Sequence, residues 1–192
     1  IRDVAVTGVQ TCALPIYGTC GTLARLTPGM ARAAAADRGR FARTLVFVAF
    51  AGEERGLLGS THYTTAPTIP LGNTVAMINL DMVGRFRGTV DIAGLDSAPD
   101  LTEAVEAAAS ASETTLRRSG PGDGRSDDFP FLSSRVPALS FFTGFHRDYH
   151  RPTDDWQRID ADGVARVANL ALDLAARIAA RPDRAEFILP RR

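Results

Sequence analysis

The chain has 192 residues, 45% of them hydrophobic and 23% charged, and its 22 Lys and Arg balance its 22 Asp and Glu. That make-up suits one globular domain with a substantial core, and a net charge of zero leaves no electrostatic footprint for nucleic acid or an anionic membrane. No apolar run approaches the ~20 residues of a membrane span, and Cys12 and Cys20 are too few for a disulfide framework and lack a zinc-site spacing.

The sequence begins with Ile1, and no charged-then-apolar leader is visible. Its opening, IRDVAVTGVQTCALPI, shows no helix or strand period beyond a short VAVTGV. The segment resembles translated sequencing-adapter read-through. Residues 1–16 are therefore expected to be non-native and to lie outside the fold, with residues 17–192 forming a single domain.

Residues 21–38 read as a helix with Pro28 and Gly29 as weak points. TLVFVAF, 44–50, is a continuous apolar run rich in β-formers, the mark of a strand buried on both faces. EERGLLGSTHYTT, 53–65, reads as a helix starting at that strand's end. TVAMINLDMVG, 74–84, is a second buried strand ending in Asp81, and GTVDIAG, 88–94, a shorter one. PDLTEAVEAAAS, 99–110, carries Pro99 and early acids of a helix start. GPGDGRSDDF, 120–129, is a Gly-rich loop, VPALSFFTG, 136–144, a third buried strand, and Val164, Val167, Ala171, Leu174 and Ile178 mark one face of a long last helix. Strands alternating with helices predict an α/β fold: a three-layer α/β/α sandwich around a mainly parallel, mixed sheet.

Ligands of open α/β sheets gather at the carboxyl ends of the strands. Glu53 and Glu54 follow the first of these strands, Asp81 closes the second, and TGFHRDYHRPTDD, with His146, Tyr149 and His150, follows the third. Taken singly, each has an ordinary structural reading: an acid pair at a helix start offsets the dipole, an Asp at a strand end caps a turn, and a loop His is solvated. Three such groups at successive strand ends instead suggest a metal site, since carboxylate and imidazole are usual zinc ligands. Adjacent acids on a turn point apart, so one can bind metal while the other takes a proton from the water that the metal activates. Spacing alone does not say which Glu does which.

Three blocks carry a resemblance: LVFVAFAGEERGLLGSTHY, VAMINLDMVGR and SDDFPFLSSRVPALSFFTGFHRDYHRPTDDWQRID. Together, over about residues 41–180, they resemble the two-zinc aminopeptidases of the bacterial leucyl-aminopeptidase type, which have a zinc-exopeptidase fold. The resemblance implies Glu53 as general base, Glu54, Asp81 and His150 as zinc ligands, and Tyr149 as the group that steadies the substrate oxyanion. It implies peptide or protein N-termini as substrates and an extracytoplasmic location, secreted or periplasmic; the Arg- and Ala-rich, Lys-poor composition fits a bacterial origin. Asp127 matches a pocket position. Asp154 or Asp155 is expected to accept from the other ring nitrogen of His150, and His146 is expected at the rim.

The chain departs from the family pattern in two places. Two upstream ligands, a His in an HxD block and a metal-bridging Asp in a DN block, have no counterpart; Tyr17 or Gly18 stands where the second should be. Downstream, Asp128 replaces the usual His of an SDH pattern. With three of five ligand positions present, one zinc or none is expected here against two in a complete site, and the fragment is expected to be impaired in turnover. The alternatives are a non-catalytic binding module of the same fold and a one-zinc glutaminyl-cyclotransferase-like enzyme.

Overall fold

The computed structural model describes residues 4–11, 19–120 and 124–189. Six strands form one sheet: β1 (Val4–Thr11), β2 (Thr44–Ala51), β3 (Thr74–Leu80), β4 (Thr89–Ala93), β5 (Thr115–Arg118) and β6 (Ala138–Phe142), in the order β2-β1-β3-β6-β4-β5. Neighbours run parallel except β4 and β6, which are antiparallel. The sheet is thus mainly parallel and mixed.

Helices α1 (Thr19–Ala36), α3 (Thr102–Ala111) and α5 (Ala161–Ala180) pack on one face, and α2 (Leu58–Thr65) and α4 (Phe129–Ser133) on the other. Strand alternation divides β3 between the two layers. Ala76, Ile78 and Leu80 join the larger core with Val167, Leu170, Leu174 and Ile178 of α5. Met77 packs with Phe50, Phe131 and Leu132 in the smaller one. All seven residues of β3 are buried, as its near-continuous apolar run requires.

The segment expected to lie outside the fold supplies β1. Its eight residues pair in parallel with β2 along their whole length and with β3 from Val4 to Val9. β2 and β3 stand two lanes apart, and VAVTGV, with its β-branched residues, has the propensity to fill the gap with backbone hydrogen bonds to both sides.

Other elements differ in detail. β2 is an edge strand with only Phe50 buried, so its apolar run does not mark burial on both faces. The helix expected over 53–65 is broken: a single 3-10 turn, Glu53–Arg55, precedes α2, because Gly56 (φ 94°) and Leu57 (φ 58°) are left-handed. β5, only four residues and two of them Arg, carried no recognisable strand period. α4 begins at the last residue of the stretch that reads as a Gly-rich loop, 120–129, and carries Pro130 in its first turn, where the missing N–H costs nothing.

Candidate active site

Two glycines aim the Glu53–Glu54 turn. Gly52 adopts φ 72° at the end of β2, a conformation that carries no penalty only for glycine. Gly59 lets α2 approach the strand end: a Cβ there would stand 2.7 Å from both the nitrogen and the oxygen of Ala51. The turn is closed by Gly56 and Leu57 N–H groups donating to the Glu53 carbonyl at 3.0 and 2.9 Å. Glu53 is thereby buried at 8% exposure, while Glu54 reaches out to His150.

That contact joins the first and third strand ends. His150 Nε2 lies 2.9 Å from Glu54 Oε1, across 96 positions of sequence. His150 has φ 54°, a left-handed conformation that costs a non-glycine residue of order 1 kcal/mol or more and that clusters at functional sites. Its ring is stacked on that of Tyr149 at 3.9 Å, and Tyr149 in turn meets Phe145 edge-on at 5.0 Å. The Tyr149 phenol is held above its ordinary pKa, first by burial and then by the nearby carboxylates of Glu54, Asp81 and Glu53, with Arg125 opposing. One hydroxyl therefore senses all three acids that the sequence placed at strand ends.

Asp81 follows β3, and its N–H donates to the Phe141 carbonyl of β6 at 3.0 Å. Its Oδ2 accepts from Ser126 Oγ at 2.8 Å; Asn79 Nδ2 donates to the same Ser126 Oγ at 2.7 Å and to Ser140 Oγ at 3.1 Å. Burial pushes the Asp81 carboxyl up to about 6 against the Ser126 hydrogen bond, helped by the charges of Asp127 and Glu54. Asp127 is fully buried, also pushed up to about 6 by burial, with Ser60 donating to Oδ1 and Oδ2 lacking a partner. Ser126, Asn79 and Ser60 escaped the sequence reading; a hydroxyl directly before the Asp127–Asp128 pair was the available signal.

Two expectations are corrected. His146 is not at the rim: its side chain is 3% exposed, with Nε2 3.9 Å from Asp154 Oδ2, Nδ1 without a partner and its pKa lowered chiefly by burial. Asp154, expected behind His150, is ion-paired to Arg85 and faces His146. Asp155 is exposed and opens the 3-10 turn Trp156–Arg158. The reason is Arg85, which the sequence reading passed over: its guanidinium holds Asp154 and stands 3.6 Å from Asp148 Oδ2. Asp148, lowered in pKa first by the Thr153 hydrogen bond, sits just ahead of Tyr149. The loop bearing Asp81 is thus tied to the loop bearing His150.

A scan against family models matches Peptidase family M28 over residues 21–175. This chain belongs to peptidase family M28. Among curated proteins, the M28 chain is 43% identical over 83 residues to a "Probable zinc metalloprotease" of Pyrenophora teres f. teres, covering 42% of this chain and 17% of that protein. Among solved structures, it is similar to an aminopeptidase from Aneurinibacillus sp. strain AM-1, with TM-score 0.75, 25% identity, and coverage of 100% of this chain and 46% of that one. BSAP, a zinc aminopeptidase from Bacillus subtilis, superposes with TM-score 0.79 over 96% of this chain and 48% of its own; at 22% identity that likeness is one of fold. The M28 chain therefore spans about half the length of these solved relatives and a sixth of the curated one.

The donor set can be weighed against zinc. Glu54 and His150 bring a carboxylate oxygen and an imidazole nitrogen within 2.9 Å of each other, the donor chemistry of one zinc ion, though catalytic zinc takes three protein ligands. Among the described residues no three His, Cys, Asp or Glu side chains converge closely enough to hold an ion. Asp81 is turned to Ser126, and the position expected for a bridging carboxylate, Tyr17 or Gly18, lies outside the described residues. The described donors fit one ion in part, from Glu54 and His150, and do not fit two.

Proposed function

We propose that this chain is part of the catalytic domain of a zinc-dependent aminopeptidase. The observation that carries the reading is the contact between Glu54 and His150, with Tyr149 stacked on that histidine and within the field of Glu53, Glu54 and Asp81. In this reading Glu54 and His150 hold zinc, which when bound supplies Lewis acidity to the water and the substrate carbonyl.

The remaining chemistry belongs to the chain. Glu53, buried and adjacent to the ligand Glu54, takes a proton from the attacking water on a carboxylate oxygen. Oxygen adds to the carbonyl carbon, the C–N bond breaks, and Glu53 returns the proton to the leaving amine nitrogen. Tyr149 donates its hydroxyl hydrogen to the developing oxyanion. Three carboxylates around one open edge attract a cationic α-ammonium group, which favours a free N-terminus over an internal peptide bond.

The test is Glu53→Gln in the full-length enzyme, with zinc content measured alongside turnover of an aminoacyl p-nitroanilide. A fall of ~10²–10⁴ in turnover is the usual weight of a general base, and zinc content should stay near wild type. Turnover within about threefold of wild type would remove Glu53 from the role.

The lack of a three-donor cluster among the described residues favours a second reading for the 192 residues taken alone: a chain that keeps the fold and does not turn over. Zinc-supplemented assay of this chain beside the full-length enzyme separates the two.

A further inference from the structure

A cavity of about 380 Å³ opens beside the candidate site, lined by Arg87, Thr89, Asp91, Arg117, Thr143 and Phe145. Sheet topology explains its position. β4 runs antiparallel to β6, with Asp91 opposite Phe142, so the start of β4 lies at the edge where β3 and β6 end. β5 follows β4 in parallel, pairing Asp91 with Arg117. The cavity therefore occupies the next two lanes of the same edge. Phe145 forms the shared wall, its ring meeting Tyr149 edge-on at 5.0 Å. Thr143 also belongs to both sides, donating to the carbonyl of Met82, the residue after Asp81, at 2.6 Å. Strand lanes are ~4.8 Å apart and an extended chain advances ~3.3 Å per residue, so a substrate seated at Tyr149 reaches the cavity within two or three residues.

The charges of the cavity are unlike those of the acid-rich site. Arg117 grips Asp91 through Nε and Nη2 at 2.6 and 2.7 Å, which cancels that pair. Arg87 has no ion pair among the described residues, is exposed, and leaves one guanidinium uncompensated at the wall. Guanidinium is the side chain best matched to a carboxylate, through parallel N–H···O bonds.

We propose that this cavity is a subsite for a substrate carboxylate, gripped by Arg87. The proposal rests on the aminopeptidase reading and names its substrate class: peptides with an acidic group near the scissile bond. The carboxylate comes either from the C-terminus of a short peptide or from an acidic side chain.

In the full-length enzyme, the pair Leu-Gly-Gly and its C-terminal amide tests the first source. The C-terminal amides of Leu-Gly-Glu and Leu-Gly-Gln test the second, because their side chain stands two residues from the seat at Tyr149 as the lane spacing requires. The acid member of at least one pair is expected to show the lower KM, by on the order of tenfold, the usual weight of a charge-assisted bond, and Arg87→Gln should collapse that ratio toward one. The same pairs are titrated by calorimetry onto the 192-residue chain and its Arg87→Gln variant, so the subsite is read without turnover. Acid-over-neutral binding lost in Arg87→Gln supports the proposal even where nothing is hydrolysed, an outcome that would overturn only the reading of this chain as catalytic. Equal binding of acid and neutral members, or an acid preference that survives Arg87→Gln, overturns the subsite.

Discussion

At the scale of single residues, the site works by placing polar groups where burial alters them. The Tyr149 phenol is a neutral donor at its ordinary pKa, and partial burial with three nearby carboxylates holds it further above that value. Tyr149→Phe removes only the oxygen, so zinc content should persist while turnover of the full-length enzyme falls ~10²–10³-fold; an unchanged rate would deny it the oxyanion. Asp127 makes a prediction about pH. Burial raises its carboxyl to about 6 from 3.8, so the folded chain binds that proton more tightly than the unfolded chain. Stability is therefore lost as pH rises from about 4 to about 6 and stays lost above. Asp127→Asn keeps an acceptor for Ser60 and abolishes the titration. Urea unfolding of the metal-free chain should show the variant more stable at pH 7 by on the order of 3 kcal/mol and similar at pH 4. A constant difference across that range would mean that Asp127 is not the titrating group.

Between elements, the decisive tie is Arg85. It leaves the turn after β3 and reaches Asp154 and Asp148 in the loop after β6, the loop in which His150 is held at φ 54°. A left-handed histidine persists only where its surroundings over-determine it. Arg85→Met keeps the aliphatic stem and removes the fork. Zinc affinity of the chain should fall ~10–100-fold, the usual cost of losing support behind a ligand, when measured by competition with a chelator. Arg85→Lys, able to serve one carboxylate but not both, should recover part of it. If Met and Lys bind zinc as wild type does, the two loops do not depend on this tie.

For the whole molecule, the sheet is the unit that aligns the strand ends. β1 is an interior lane between β2 and β3, so its backbone donates and accepts on both sides. Val6 pairs with Val46 and with Met77. Val6→Pro removes an N–H from the ladder and is expected to destabilise the chain by ~3 kcal/mol or more. Circular dichroism with thermal unfolding would read the loss. A variant that melts with wild type would show that the fold does not need β1, as expected for a segment alien to it.

Local pattern was enough for much of this protein. The buried strand β3 and the long helix α5 follow from apolar runs and 3.6-residue periodicity, because both signals are written in consecutive residues. The order of the acid and histidine blocks along the chain pointed to strand ends, and hence to Glu53, Glu54, Asp81, Tyr149 and His150 as one neighbourhood. What only the tertiary structure decided lies in contacts between distant segments. β1 occupies an interior lane because two other strands leave that lane open, which no property of VAVTGV announces. β2 is half exposed because it stands at the sheet edge. The His146 side chain is buried beside Asp154, His150 meets Glu54, and Arg85, more than sixty residues upstream, pairs with Asp148 and Asp154 in the same loop. Such pairings are set by packing and charge across the fold, and sequence spacing carries no record of them.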